Sequence, residues 1–229
     1  MAPTYTYAPS IGEISLYAFN VCDIRSTSLT AEHMNSVKIS MNLMLSRWSN
    51  KGVNLWKVSL VTVPLLAAVS TYNIDPSVIM ILDAYVTTTV GGSNTDRIIM
   101  PVSRTEYASY PNKTQAGFAT VFWFDRLISP TVTIWPVPDG SGNPATLSYY
   151  CVTQIGDASL PAGATPDIPY RWFDAFASGL AFWLSKIWAK QLSPMLKAEA
   201  DEAYMVAAYQ DEENVSLFIS PMTSGYFNQ

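Results

Sequence analysis

Cysteine and histidine are scarce in this sequence of 229 residues, which contains only Cys22, Cys151 and His33 of these two types. Two thiols are too few for a disulfide scaffold or a four-thiolate zinc site, so we interpret both as small buried side chains. A single imidazole excludes metal sites that need two, and it permits a catalytic triad only if His33 is the base. We expect His33 on a helix surface, and the sequence predicts no cofactor.

Charged residues are also few, at 14% of the chain, and the net charge of −5 is unevenly distributed. Basic and acidic residues balance up to residue 190, whereas the remainder has Lys197 against six carboxylates. No basic cluster marks a phosphate-binding face, which argues against direct binding to duplex DNA. The N-terminus lacks a basic segment followed by an apolar run, so no signal peptide is expected. The apolar run 175–184 is about half of the roughly 20 residues that a membrane span needs.

Apolar residues at helical spacing predict four helices. Ser10 and Glu13 fit a capping box at the start of the first, and Thr30 is the expected N-cap of the second. Gly52, just past the second helix, can adopt a positive φ. The third helix is the most apolar stretch of the chain, and Phe182 lies in its otherwise polar stripe. We expect the first two and the last two helices to pack as antiparallel pairs, over the ranges 11–22, 30–50, 169–190 and 194–213.

Between the second and third helices, short β-prone runs separated by turn residues predict an antiparallel meander. Glycine-rich tips at 91–94 and 139–144 suit tight or flexible turns. The expected strands lie near 56–67, 80–89, 97–102, 118–124, 131–135 and 146–153.

The predicted fold class is α+β, a four-helix bundle with an antiparallel β insertion between helices two and three and an extended C-terminal arm. The expected parts are an N-terminal helical pair 1–56, the β insertion 57–156, a C-terminal helical pair 157–214 that completes the bundle, and a docking arm 215–229. The arm has no charged side chain and is too apolar for a solvated tail, so we expect it to need a partner surface. The predicted partner-docking residues are Phe182, Leu217, Phe218, Ile219, Tyr226 and Phe227.

The run 41–57, MNLMLSRWSNKGVNLWK, resembles the LN-x-ML-x-x-W-x-x-x-G-x-x-LW signature of the head-to-tail adaptor (tail accessory, or head completion) proteins of short-tailed bacteriophages. The matching residues are Asn42, Met44, Leu45, Trp48, Gly52, Leu55 and Trp56. Three further anchors follow in the family's order. They are an R-x-E-Y-like turn within 103–110, a WP-x-P hairpin at 134–138, and a closing P-x-x-(W/Y)-x-x-A-x-x-x-x-L-A helix from Pro169.

This resemblance implies a non-enzymatic virion protein, with the structural anchors Trp48, Gly52, Trp56, Trp135 and Trp172. It implies a ring of twelve subunits between the portal protein and the tail nozzle protein, with tail fibre or tailspike as a further partner. Such a ring would extend the DNA channel, without sequence-specific binding to the DNA, and help to retain the packaged genome. We expect it in the virion, at the head-to-tail interface, and in the host cytoplasm during assembly. The docking arm is expected to lie along the portal or an adjacent subunit.

Two other function classes have some support in the sequence. An aromatic content of 13% suits a carbohydrate-binding module of a phage or host surface protein, because Trp and Tyr combine a large contact area with a polar tip. The acidic runs 201–202 and 211–213 suit a glycosidase, which needs two carboxylates across a cleft. Adjacent acids on a helix point in different directions, however, and we interpret both runs as a solvated face. Most tryptophans fall on predicted core faces.

Overall fold

The computed structural model describes residues 6–52, 55–140, 145–160 and 163–211, except for the side chain of Val90. The helices in these ranges are α1 (Ile11–Val21), α2 (Ala31–Ser49), α3 (Arg104–Ser109), α4 (Phe173–Trp188) and α5 (Ser193–Tyr209). The strands are β1 (Val58–Leu65), β2 (Thr71–Asn73), β3 (Val78–Val90), β4 (Ser93–Pro101), β5 (Val121–Asp125), β6 (Thr131–Trp135) and β7 (Ala145–Thr153). The predicted docking arm lies outside the described residues.

The fold is mixed α/β, and the expected four-helix bundle with a small β insertion is wrong. All seven strands form one curled sheet, in the order β1-β7-β3-β4-β5-β6-β2. The sheet has a hydrophobic core of its own, in which Ile134, Leu147 and Cys151 are fully buried. The long helices share a second core. The sheet is therefore a structural layer in its own right, with a core separate from that of the helices.

The sheet is not the predicted meander. Only β3–β4 and β5–β6 are antiparallel hairpins between consecutive strands, and β7 returns to lie between β1 and β3. The contact between β4 and β5 is parallel, with Met100 opposite Val121 and Pro101 opposite Phe122. Strand β2 was not predicted, because a strand of three residues is too short to show the period-two alternation of a sheet. It pairs with β6, so β1 and β2 are the two edges of the sheet.

Helix α4 is the centre of the helical layer, because α1, α2 and α5 each pack against it. Its residues Phe176, Leu180 and Leu184 are completely buried. The expected antiparallel pair of α1 and α2 is not the main contact of either helix, since both pack chiefly on α4. A helix that is apolar on several sides must be covered on several sides, and this explains why the most apolar stretch of the sequence lies in the middle.

The helix starts are set by local capping. The backbone N–H of Ser10 donates to Glu13 Oε2 at 2.7 Å, and the N–H of Glu13 donates to Ser10 Oγ at 3.2 Å, so the predicted capping box is confirmed. Thr30 is the N-cap of α2, as predicted, and its N–H donates to His33 Nδ1 at 3.2 Å. His33 lies on α2 and is partly exposed, and its ring stacks on Trp188 with 4.1 Å between centroids.

Candidate functional site

The first and last anchors of the sequence meet in one aromatic cluster. The ring centroid of Trp172, at the start of α4, lies 5.2 Å from that of Trp48 and 4.9 Å from that of Trp56. Tyr204 of α5 closes the cluster at 5.3 Å from Trp172. Trp48 and Trp172 are buried and Trp56 is half-buried, so their faces are not available to stack on a sugar. The cluster ties α2, the turn before β1, α4 and α5 to one another.

Helices α2 and α4 approach very closely at Gly179. A Cβ atom added to this glycine would lie 2.6 Å from Met44 Sδ and 3.6 Å from Trp48 Cζ2. Real Cβ atoms do not come that close to another heavy atom, so a larger residue would force the helices apart or displace Met44. The glycine thus lets the first anchor pack directly on the fourth.

A side-chain amide attaches α2 to the segment that follows the sheet. Asn42 Oδ1 accepts from the N–H of Ala158 at 2.9 Å, and Asn42 Nδ2 donates to the carbonyl of Ala158 at 3.1 Å. Two turns further along α2, Ser49 Oγ accepts from the N–H of Ile155 at 3.3 Å. A side-chain amide has both an acceptor oxygen and a donor nitrogen, so it can bind the N–H and the carbonyl of the same residue, which explains the asparagine of the first anchor.

A salt bridge joins the start of β1 to the segment that precedes α4. Lys57 Nζ lies 2.7 Å from Asp167 Oδ2, and the same oxygen accepts from the N–H of Gly156 at 2.9 Å. Partial burial works to raise the pKa of Asp167, but the hydrogen bonds from Lys57 and Gly156 and the charge of Lys57 outweigh it. The pKa therefore lies below its usual value.

Asp211 at the end of α5 is buried, although the sequence pattern placed it in a solvated acidic run. It forms a salt bridge with Arg171, and its Oδ2 accepts from the N–H of Leu55 at 3.1 Å. Burial, together with the nearby charge of Asp211, raises the pKa of Tyr204. Asp201, on the same helix, is exposed as expected. The end of α5 is thus fixed beside the residues that lead into β1.

The second and third anchors form a separate cluster on the sheet. Tyr110, just after α3, stacks on Trp135 of β6 with 4.4 Å between centroids, and Tyr107 stacks on Trp123 of β5 at 5.4 Å. Trp135 Nε1 also donates to the carbonyl of Asn112 at 2.9 Å. Helix α3 is held in this way on the β5–β6 hairpin. The four anchors therefore combine in two pairs, one in the helical layer and one on the sheet.

Two of the predicted site residues, Gly52 and Phe182, are more exposed than the buried tryptophans of the anchor cluster in the helical layer. Gly52 is exposed after α2 and does not have a positive φ, and a Cβ atom there would meet nothing within 4 Å, so its predicted conformation is wrong. Phe182 is half-buried against the helical core, with Lys186 Nζ 4.2 Å from its ring centroid. Roles for Gly52 as an anchor and for Phe182 in docking stay predictions.

A surface groove of about 430 Å³ lies between the segment before α1 and the start of α4. Exposed aromatic residues line it, among them Tyr7, Tyr17 and Tyr170. Arg171 contributes to its wall and binds Asp211, so the groove is close to the end of α5. Within the described residues, no three His, Cys, Asp or Glu side chains are grouped so that they could hold a metal ion.

The profile of the SU10 adaptor protein family matches residues 21–216, a range that includes both anchor clusters and most of the chain. The chain belongs to the SU10 adaptor protein family. The prediction of a bacteriophage head-to-tail adaptor is thereby confirmed, and the adaptor is a structural component of the virion. Its restriction to short-tailed phages stays a prediction. None of the curated proteins matches this chain. No helix in the part of the adaptor that the structure describes is long and apolar enough to cross a membrane.

Proposed function

We propose that the adaptor assembles as a ring, of twelve copies by family resemblance, that joins the portal protein to the tail nozzle protein. In this proposal the ring extends the DNA channel, helps to retain the packaged genome and has no enzymatic activity. Tail fibre or tailspike is a further proposed partner, and assembly takes place in the host cytoplasm. The single observation that carries the proposal is the family match over residues 21–216, which contains all four anchors.

Two structural features support a mechanical role. The anchor clusters and the salt bridge between Lys57 and Asp167 hold the sheet and the helices together through buried or paired side chains. A subunit that transmits force between head and tail needs such fixed geometry. The exposed face of α5 carries Glu199, Asp201 and Glu202. A channel wall with this acidic character would let DNA slide past, because the three carboxylates outnumber the single exposed lysine of α5, Lys197, and repel phosphate.

Negative-stain electron microscopy of the adaptor mixed with the portal protein of its own phage tests this proposal. The expected result is a ring of adaptor density bound to the end of the portal that faces the tail. The proposal fails if the two proteins do not form a complex at any ratio. Binding of the adaptor to a glycan array, in the absence of portal binding, would instead favour the carbohydrate-binding module.

A further inference from the structure

Strand β1 is one of the two edges of the sheet. Among the described residues it pairs only with β7, from Val58 opposite Val152 to Leu65 opposite Ala145. Its eight residues, VSLVTVPL, include no charged side chain. Proteins usually protect such an edge with lysine, with proline, with a bulge or with a covering element, because free backbone groups attract further strands. Of these devices the described residues supply β1 only with Pro64, near its end. A long uncharged edge of this kind is typical of a strand that becomes paired in an assembly.

The backbone groups that face away from β7 can be identified from a proline. Pro64 lies opposite Thr146 and has no N–H to donate. A proline is tolerated in an edge strand where its nitrogen faces away from the neighbouring strand. Positions that alternate with it share that orientation, so the N–H groups of Leu60 and Thr62 face away from β7. The side chain of Leu60 is also 47% exposed, opposite the 42% exposed Tyr150.

The chain has a segment of matching chemistry. Residues 215–220, VSLFIS, are uncharged and rich in apolar and β-branched types, and Pro221 follows them. Six residues are long enough to cover most of an edge of eight. Residue 220 is nine positions after Asp211, so an extended chain carries it up to about 30 Å from the end of α5. A compact domain of this size is about 45 Å across, so the segment can pair with a neighbouring subunit whose β1 edge lies beside this end of the donor.

We propose that residues 215–220 of one adaptor subunit add as a strand to the β1 edge of the neighbouring copy. The proposal rests on the ring proposed above and names the surface that links its subunits. Pairing within one chain is the less favourable arrangement. Asp211 is bound to the N–H of Leu55, so the segment starts near the beginning of β1 and would have to run parallel to it. Parallel pairs are less stable per residue than antiparallel ones.

Exchange between neighbours also fits a closed ring. Each subunit donates one segment and accepts one, in a head-to-tail contact, so that no β1 edge remains unpaired when the ring closes. The main-chain hydrogen bonds of the added strand would supply affinity, and Leu217 and Ile219 would contact the apolar side chains that flank the edge.

Two complementary full-length variants test the exchange. Thr62→Pro removes an N–H at the free edge and leaves the donated segment intact, and its matched control Thr62→Val keeps the N–H. The double variant Leu217→Asp/Ile219→Asp spoils the donated segment and leaves the edge intact, with Leu217→Val/Ile219→Val as its control. We expect each test variant alone to be monomeric where the wild type associates. Their mixture should form a 1:1 heterodimer and no larger species, because only one of the two contacts can form.

Sedimentation velocity and mass photometry measure the association, and hydrogen exchange of the β1 amides shows where it occurs. The expected result is slower exchange at Leu60 and Thr62 in the heterodimer and in the wild type at high concentration. The proposed strand exchange between subunits is overturned if Thr62→Pro associates like Thr62→Val, or if the wild type remains monomeric at every concentration. If the wild type and Thr62→Pro form rings on the portal equally well, the strand exchange is rejected and the ring itself remains supported. Absence of rings with wild-type protein would reject the proposed function.

Discussion

The ring centroids of Trp48 and Trp172 lie 5.2 Å apart, and this contact joins the end of α2 to the start of α4. Both side chains are almost completely buried, at 4% and 1% exposure. They come from the first and the last of the four anchors, more than a hundred positions apart in the sequence. The contact therefore forms only when the helix that precedes the strands in the chain packs against the helix that follows them.

Truncation of this contact should be strongly destabilising. We expect Trp48→Ala to lower the free energy of unfolding by about 3–5 kcal/mol, because it leaves a large cavity beside Trp172. Chemical denaturation monitored by circular dichroism measures the change. A loss below about 1 kcal/mol would contradict the burial of Trp48, since surface substitutions have effects of that size.

The close approach at Gly179 predicts an unusual response to alanine. Gly→Ala within a helix normally stabilises by about 1 kcal/mol. At Gly179 the new Cβ atom would lie 2.6 Å from Met44 Sδ, so we expect Gly179→Ala to destabilise by about 1–2 kcal/mol. Gly12→Ala in α1 is the matched control, because its Cβ would have only Ser10 Oγ nearby, at 3.9 Å.

A second substitution separates the clash from other causes. If Met44 is the obstacle, Gly179→Ala should be less harmful when combined with Met44→Ala than the sum of the two single changes, with a coupling of about 0.5–3 kcal/mol. Additive effects in this double-mutant cycle would show that Met44 is not the obstacle to a Cβ atom at Gly179.

The salt bridge between Lys57 and Asp167 predicts a pH dependence in the acid range. Because the pKa of Asp167 is lowered in the folded state, the ionised carboxylate stabilises the fold above the unfolded pKa of about 3.9. That stabilisation is lost as the pH falls through the lower, folded value. The melting temperature of the wild type should therefore exceed that of Asp167→Asn at pH 6, and the difference should shrink towards pH 3. The control Asp157→Asn, at an exposed carboxylate of the same segment, should follow the wild type.

Phe182 offers a test of subunit contact in the helical layer. It remains half-buried although it lies in the polar stripe of α4. We expect Phe182→Asp to block folding or ring formation, whereas Phe182→Leu should preserve both. Circular dichroism detects a folding defect, and electron microscopy with the portal detects a ring defect. An Asp variant that folds and forms normal rings would show that Phe182 contributes to neither.

The helices could be predicted from sequence because their signals are local. Ser10 and Glu13 are three residues apart, and the apolar stripe of α4 repeats within a few turns. The order of the sheet could not be predicted in this way. Ser59 of β1 is paired with Cys151 of β7, and no short pattern records which of several similar strands will meet. The periodicity of the residues therefore predicted most of the strands but not their order in the sheet.

The same limit explains the site residues that the sequence did not reveal. Asp211 is followed by two further acids, and its burial depends on Arg171, which is 40 positions earlier. The hydrogen bonds of Asn42 to Ala158 join residues 116 positions apart. Family resemblance marked Asn42, but only the structure shows that its amide binds both the N–H and the carbonyl of Ala158.

The chain enters and leaves the sheet at neighbouring points. Thr153 Oγ1, at the end of β7, donates to the carbonyl of Lys57, just before β1, at 3.3 Å. The segment between these two residues therefore leaves the helical layer and returns to it at the same place, so a change in its length need not move the helices. The tips of its hairpins can therefore lengthen, shorten or change their chemistry without disturbing α4. The sheet is thus the half of the adaptor that can be reshaped to fit a different neighbour while the helical layer keeps its packing.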